Sequence, residues 1–211
     1  MVLTNKASMI AIITGDIINS SKVNPQNWLK VLKKELNAVG KSPSVWQVYR
    51  GDSFQLQIEN PEKALIHAVR IKAALKLISP LDIRMSIGIG TKDYDAPKIT
   101  ESNGSAFENS GDRFENLKKE KLNLAIKTPW EEFDKEMNLY LKLCLIIMDN
   151  WTANAAHIMK LSLENPELSQ QQLGELLGLK QNTISARLKR AYQTEILEVM
   201  EMYEYKLKQC L

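Results

Sequence analysis

Residues 9–14 read MIAIIT, an unbroken apolar run closed by Gly15-Asp16, the pattern of a strand buried on both faces. Asn24-Pro25 then supplies an N-cap and a first-turn proline. Trp28, Leu29, Leu32 and Leu36 follow at helical spacing until Gly40 stops the helix. Two short strands, 45–49 and 53–58, flank Arg50-Gly51-Asp52 and predict a hairpin with that tripeptide at its tip. Asn60-Pro61 repeats the cap signal, and Leu65, Val69, Ala73 and Leu77 mark one face of a second helix that ends before Pro80. Residues 83–89 alternate as a fourth strand. Residues 91–110 are polar and read as a loop anchored by Phe107. A third helix holds Phe114 and Leu117 ahead of a last strand at 122–126. From Trp130 onward only helical periodicity appears.

That order predicts an α+β protein: a ferredoxin-like βαββαβ unit over residues 1–128, a helical linker over 129–150 and an all-α domain over 151–211. The 211 residues suit one or two domains at ~100–200 residues each. Hydrophobic residues make up 44% and charged residues 25%, enough core to need no staple. Cys144 and Cys210 have neither disulfide-framework nor zinc-ligand spacing and read as a core and a tail residue. His67 and His157 lie on expected helices without partner spacing and read as structural. No apolar stretch approaches the ~18–20 residues that cross a bilayer, and no leader pattern opens the chain, so a cytoplasmic protein without a membrane partner is expected. The net charge of +3 is uninformative as a total, so the placement of charge has to carry any argument about partners.

The placement is informative between residues 168 and 191. Ser169 and Gln172 form a capping box, Leu173, Leu176 and Leu177 an inward face, and Gly178 the turn. Leu179 packs under that turn. A second helix starts near Gln181 with Ile184 and Leu188 as its buried pair. Two short helices so joined are the helix-turn-helix unit that lays its second helix in a major groove. The outward residues Gln181, Asn182, Thr183, Ser185, Ala186 and Arg187 are small, amide-bearing or basic, suited to base edges. Lys180, Arg187, Lys189 and Arg190 add four positive charges with no acidic residue among them, suited to phosphates. Double-stranded DNA is therefore the expected partner. A further helix over 194–209 carries Ile196, Val199, Met200, Tyr203 and Leu207 on one stripe, either packing on the core or pairing with a second copy.

The first unit offers a different chemistry. Asp16 follows the first strand and Asp52 sits on the hairpin tip. A βαββαβ sheet sets its first and third strands side by side, so the two carboxylates meet at one sheet end. The hairpin RGDSF resembles the GGDEF signature of diguanylate cyclases, and the strand SIGIG over 86–90 resembles the one that follows it. Class III adenylyl cyclases share the plan. The resemblance implies Mg²⁺ on Asp16 and Asp52 and a nucleotide against Gly15, Arg50, Gly51 and Ser53. It also shows departures: Arg50 stands for the first glycine of GGDEF and Ser53 for its glutamate. Asn109 and Arg113 keep the spacing that cyclases use on the transition state, although alignment on Phe107 puts the asparagine place on Glu108.

Taken together, ITGDIINS, YRGDSF, RMSIGIGT, ESNGSAF and KLNLAIKTP, followed by a Trp-containing helix and the capped helix pair, resemble the SatD family over residues 9–191. The plan implied is a cyclase-like domain fused to a DNA-binding one. Three functions follow as expectations. The chain is a transcriptional regulator whose first domain binds a nucleotide with metal, or a Mg²⁺-dependent nucleotide cyclase or nucleotidyltransferase, or a protein whose degenerate palm serves dimerisation.

Overall fold

The computed structural model describes residues 9–211. It is α+β: a five-stranded mixed sheet and eight α-helices. The strands are β1 (Met9–Ile18), β2 (Trp46–Tyr49), β3 (Ser53–Ile58), β4 (Asp82–Thr91) and β5 (Leu124–Lys127), in the spatial order β2-β3-β1-β4-β5. All neighbours are antiparallel except β4 and β5, whose parallel pairing requires a helix to return the chain. The first half carries α1 (Pro25–Asn37), α2 (Ala64–Leu75) and α3 (Ser105–Glu120); the second carries α4 (Glu131–Met148), α5 (Ala153–Glu164), α6 (Gln170–Leu177), α7 (Gln181–Ala191) and α8 (Gln193–Cys210).

Two expectations about element limits are corrected. The first strand does not stop at Gly15-Asp16 but runs to Ile18, with Gly15 opposite Phe54 on β3 and Met85 on β4. A Cβ on Gly15 would lie 2.5 Å from the Phe54 ring, so this glycine admits a neighbour rather than making a turn. The stretch expected as a loop to residue 110 instead enters α3 at Ser105. That helix lies close on β4 because Gly88 and Gly90 face it: a Cβ on Gly88 would meet the Ser110 amide at 2.2 Å. Asn60-Pro61 caps a short 3-10 turn, Pro61–Lys63, before α2 proper begins.

The side chains of β1 sort by face. Ala11, Ile13 and Ile17 join the main core with α1 and α2, while Ile10 and Ile12 join a smaller cluster with Ile99, Ala106 and Phe107 under α3. Thr14, Ser86 and Ser110 form a buried hydroxyl chain on that second face, with Ser110 Oγ donating to Thr14 Oγ1 at 2.6 Å and Ser86 Oγ to the Ser110 carbonyl at 2.7 Å. The residues expected as a linker form α4, whose Phe133, Met137, Leu141, Cys144, Leu145 and Met148 belong to the main core. Burial pushes the Cys144 thiol up to about 11, as suits a packing residue. The apolar stripe of α8 is spent inside its own chain: Ile196, Met200, Tyr203 and Leu207 are buried, and the Tyr203 hydroxyl donates to the Pro61 carbonyl at 2.6 Å. Among the described residues no helix is long and apolar enough to cross a membrane.

Candidate functional site

The capped helix pair forms as its residues dictate. Ser169 Oγ accepts from the Gln172 amide, and the Gln172 side chain accepts from the Ser169 amide at 2.9 Å, closing the capping box at the start of α6. Gly178 ends the helix in the left-handed region at φ 63°. Its neighbour Gly174 lets the turn close, because a Cβ there would lie 2.6 Å from the Leu179 carbonyl oxygen. Leu173 is buried as expected, but Leu176 is 60% exposed. The eight-residue α6 buries only a narrow stripe, through Leu173, Gly174 and partly Leu177, and Leu176 lies off it. Ile184, Leu188 and Ala191 seat α7 on the core. The Trp151 indole donates to the Ala191 carbonyl at 3.1 Å and fixes the far end of α7.

This seating turns the other face of α7 outward. Lys180, Gln181, Asn182, Thr183, Ser185, Lys189 and Arg190 are exposed and Arg187 is half-exposed. Among the described residues none of these eight side chains makes a hydrogen bond or ion pair, so no internal partner competes for them. Asn182, Thr183, Arg187 and Arg190 share a groove of about 640 Å³ with Thr152 and Asn154 at the start of α5. Neither of those last two residues is marked for this role by any sequence motif. Thr152 was readable as an N-cap, and it does accept from the Ala155 amide, but its proximity to α7 comes from tertiary packing.

At the opposite kind of site, Asp16 and Asp52 are brought to one sheet end. Asp16 pairs across the sheet with Ser53 on β3 and Arg84 on β4, and the Ile17 amide donates to the Asp52 carbonyl at 3.2 Å. Ser20 Oγ donates to Asp52 Oδ2 at 2.6 Å, and Arg84 Nη1 lies 3.4 Å from Asp16 Oδ2. Asp16 Oδ1 is buried without a hydrogen-bond partner. Burial pushes the Asp16 carboxyl above the usual carboxylate range; Arg84 pulls it back, Asp52 pushes it up again, and Lys118 opposes that push. Burial likewise raises the Tyr49 phenol, with Arg50 opposing and Asp16 reinforcing the shift.

The hairpin residues fall into two groups. Arg50 and Gly51 make the tip, both at positive φ, while Ser53 begins β3 and Gly15 lies beneath Phe54 in β1. No group of three or more acidic, histidine or cysteine side chains suited to a metal exists among the described residues. Two carboxylates with one unpartnered oxygen do fit Mg²⁺ when substrate phosphates and water complete its octahedron. The Asn109 and Arg113 pair is not brought to this cluster. Asn109 donates to the Ile89 carbonyl, and Arg113 grips both carboxylate oxygens of Glu120 at 2.7 Å.

Against known proteins, the family model described as the SatD family matches residues 9–197. No curated protein matches the chain.

Proposed function

The chain belongs to the SatD family, and from the outward face of α7 we propose that it is a DNA-binding transcriptional regulator. In this reading α6 and α7 form a helix-turn-helix in a reader domain of residues 151–211, and residues 9–128, the described part of the expected first domain, form a ferredoxin-like, cyclase-like sensor. The observation that carries the reading is the outward face of α7: eight polar or basic side chains, exposed or half-exposed, with no partner among the described residues. A solvated helix face commonly pairs its charges with neighbouring carboxylates; this one presents amides and hydroxyls between unpaired cations, the mixture that reads base edges and phosphates together. The groove beside Thr152 extends the same surface to the first turn of α5, whose amides suit a phosphate.

Fluorescence anisotropy with genomic duplexes at several salt concentrations tests this. Binding should weaken steeply with salt. Arg187→Ala should weaken binding and lower the slope of log K against log salt by about 0.9 if it meets a phosphate. Asn182→Ala should relax sequence preference at one or two base pairs. Binding that ignores salt, or indifference to both substitutions, rules the proposal out.

A second reading concerns the sheet end. The unpartnered Asp16 Oδ1 beside Asp52 favours a nucleotide held with Mg²⁺ against Gly15, Arg50, Gly51 and Ser53. The engagement of Arg113 by Glu120 favours sensing over turnover. A bound nucleotide alters DNA affinity only through preference for one of two conformations. Calorimetry with each nucleoside triphosphate and Mg²⁺ should show heat that Asp52→Asn removes. Chromatography of the same mixtures decides between sensor and cyclase.

A further inference from the structure

Behind the proposed reader lies a cleft that neither site uses. Ile66 of α2, Leu163 of α5, Leu173 of α6, Leu188 of α7 and Leu197 of α8 converge on it, with Leu168 from the α5–α6 connection. The space is about 230 Å³. Side chains from five separate helices stop short of closing it, although interiors elsewhere pack to crystal-like density. None of the eleven lining residues is charged, so an ion entering would lose hydration without a counter-charge. Polar groups gather at the rim: the amides of Gln170 and Gln193 have no partner among the described residues, and Asn165 uses its nitrogen on the Leu161 carbonyl, leaving its oxygen.

We propose that this cleft binds a small, uncharged, mainly apolar molecule with one amide-like polar end. The volume lies below the roughly 300–1,000 Å³ of drug-sized sites, which limits the ligand to about ten non-hydrogen atoms. Its apolar body covers the half-buried Ile66, Leu168 and Leu197 over a floor of buried Leu163, Leu173 and Leu188, and its polar end exchanges hydrogen bonds with the glutamine amides. The site touches both helices of the reader and the first residue of α8. That residue, Gln193, follows Tyr192, which holds φ 52° between α7 and α8. Occupancy biases the α6–α7–α8 arrangement to the extent that the ligand fits one form of it better than another, and this regulatory half rests on the DNA-binding reading above.

The test uses the full chain, labelled at Ile and Leu methyls, with benzamide and cyclohexanecarboxamide as neutral probes and benzoate as the ionised isostere. The neutral probes should shift the methyls of Ile66, Leu173, Leu188 and Leu197 saturably, with half-saturation near 1 mM or tighter for ligands of this size. Benzoate should bind at least tenfold more weakly. Leu197→Trp should fill the cleft and abolish the shifts; Gln193→Ala, which leaves the core intact, should weaken the amides several-fold. Absence of saturable shifts with both neutral probes, equal binding of benzoate, or unchanged affinity in Gln193→Ala overturns the site. Duplex titrations with and without saturating benzamide should differ by twofold or more. Identical titrations overturn the coupling, whereas loss of all DNA binding overturns the regulator reading and leaves the methyl shifts standing.

Discussion

At the scale of single residues, Asp16 is a carboxylate whose surroundings make it costly to ionise. Its native pKa is raised, mainly by burial and further by Asp52, so the carboxyl favours folding on the acid side of that pKa and weakens it once ionised. Asp16→Asn should therefore raise the thermal midpoint at pH 7, with a gain that shrinks toward pH 4, while abolishing any Mg²⁺-dependent nucleotide heat. A lower midpoint at pH 7 would mark Asp16 as structural. His67 titrates in the other direction: burial, Arg70 and Lys63 lower it to about 4 from 6.5. Its stabilising contribution is complete above pH 6.5 and is lost as pH falls toward 4. Urea midpoints measured across that window should fall less steeply in His67→Gln. The two aspartates were legible because each follows a glycine, Gly15 or Gly51, beside a strand-like run. Arg84 was not, since a cross-strand neighbour depends on register, and a strand buried on both faces does not mark its register in its own pattern.

At the scale of elements, legibility followed local chemistry. The start of α6, its glycine stop and the buried pair of α7 are encoded within a few residues of one another, and the structure reproduces them. Leu176 escaped because periodicity names an apolar position without saying how wide a stripe the neighbours cover. The first turns of α3 escaped for the opposite reason. The segment ESNGSAFENSG has little apolar periodicity, because what it buries is small: Ala106 and Ser110 against Gly88 and Gly90. The helix exists through close approach rather than through a greasy face. Gly88→Ala should accordingly cost about 3 kcal/mol in urea unfolding, near the top of the usual overpacking range, because the clash is with the Ser110 and Ala106 backbone and not with a side chain that can turn away. A change under about 0.5 kcal/mol would show that α3 slides freely on the sheet.

Across the whole molecule, buried charge joins the sheet to the helices that follow it. Lys72 of α2 is fully buried between Asp82 at the start of β4, 2.7 Å away, and Asp149 at the end of α4, 2.6 Å away. Glu35 of α1 is nearly as buried and meets Arg70 of α2 and Lys160 of α5 at 3.2 Å each. Sequence reading placed a linker at 129–150 because it shows where strands stop, not which helix faces later meet. The apolar cluster actually runs from Ile13 of β1 through α4 to Leu207 of α8. Such a core should open as one unit: hydrogen exchange of β1 and of α5 amides should converge on the same opening free energy. Lys72 is the sharpest lever on that unit. Lys72→Met leaves Asp82 with only Lys76, 3.3 Å away, and takes from Asp149 its 2.6 Å cation; removing one partner of a buried pair costs about 3–5 kcal/mol. Adding Asp82→Asn and Asp149→Asn to the same chain should return much of that loss, since the desolvated charges then go together. If Lys72→Met alone proves neutral, this ion cluster is not what holds the sheet against α4, and that join rests on the apolar side chains that α4 gives to the main core.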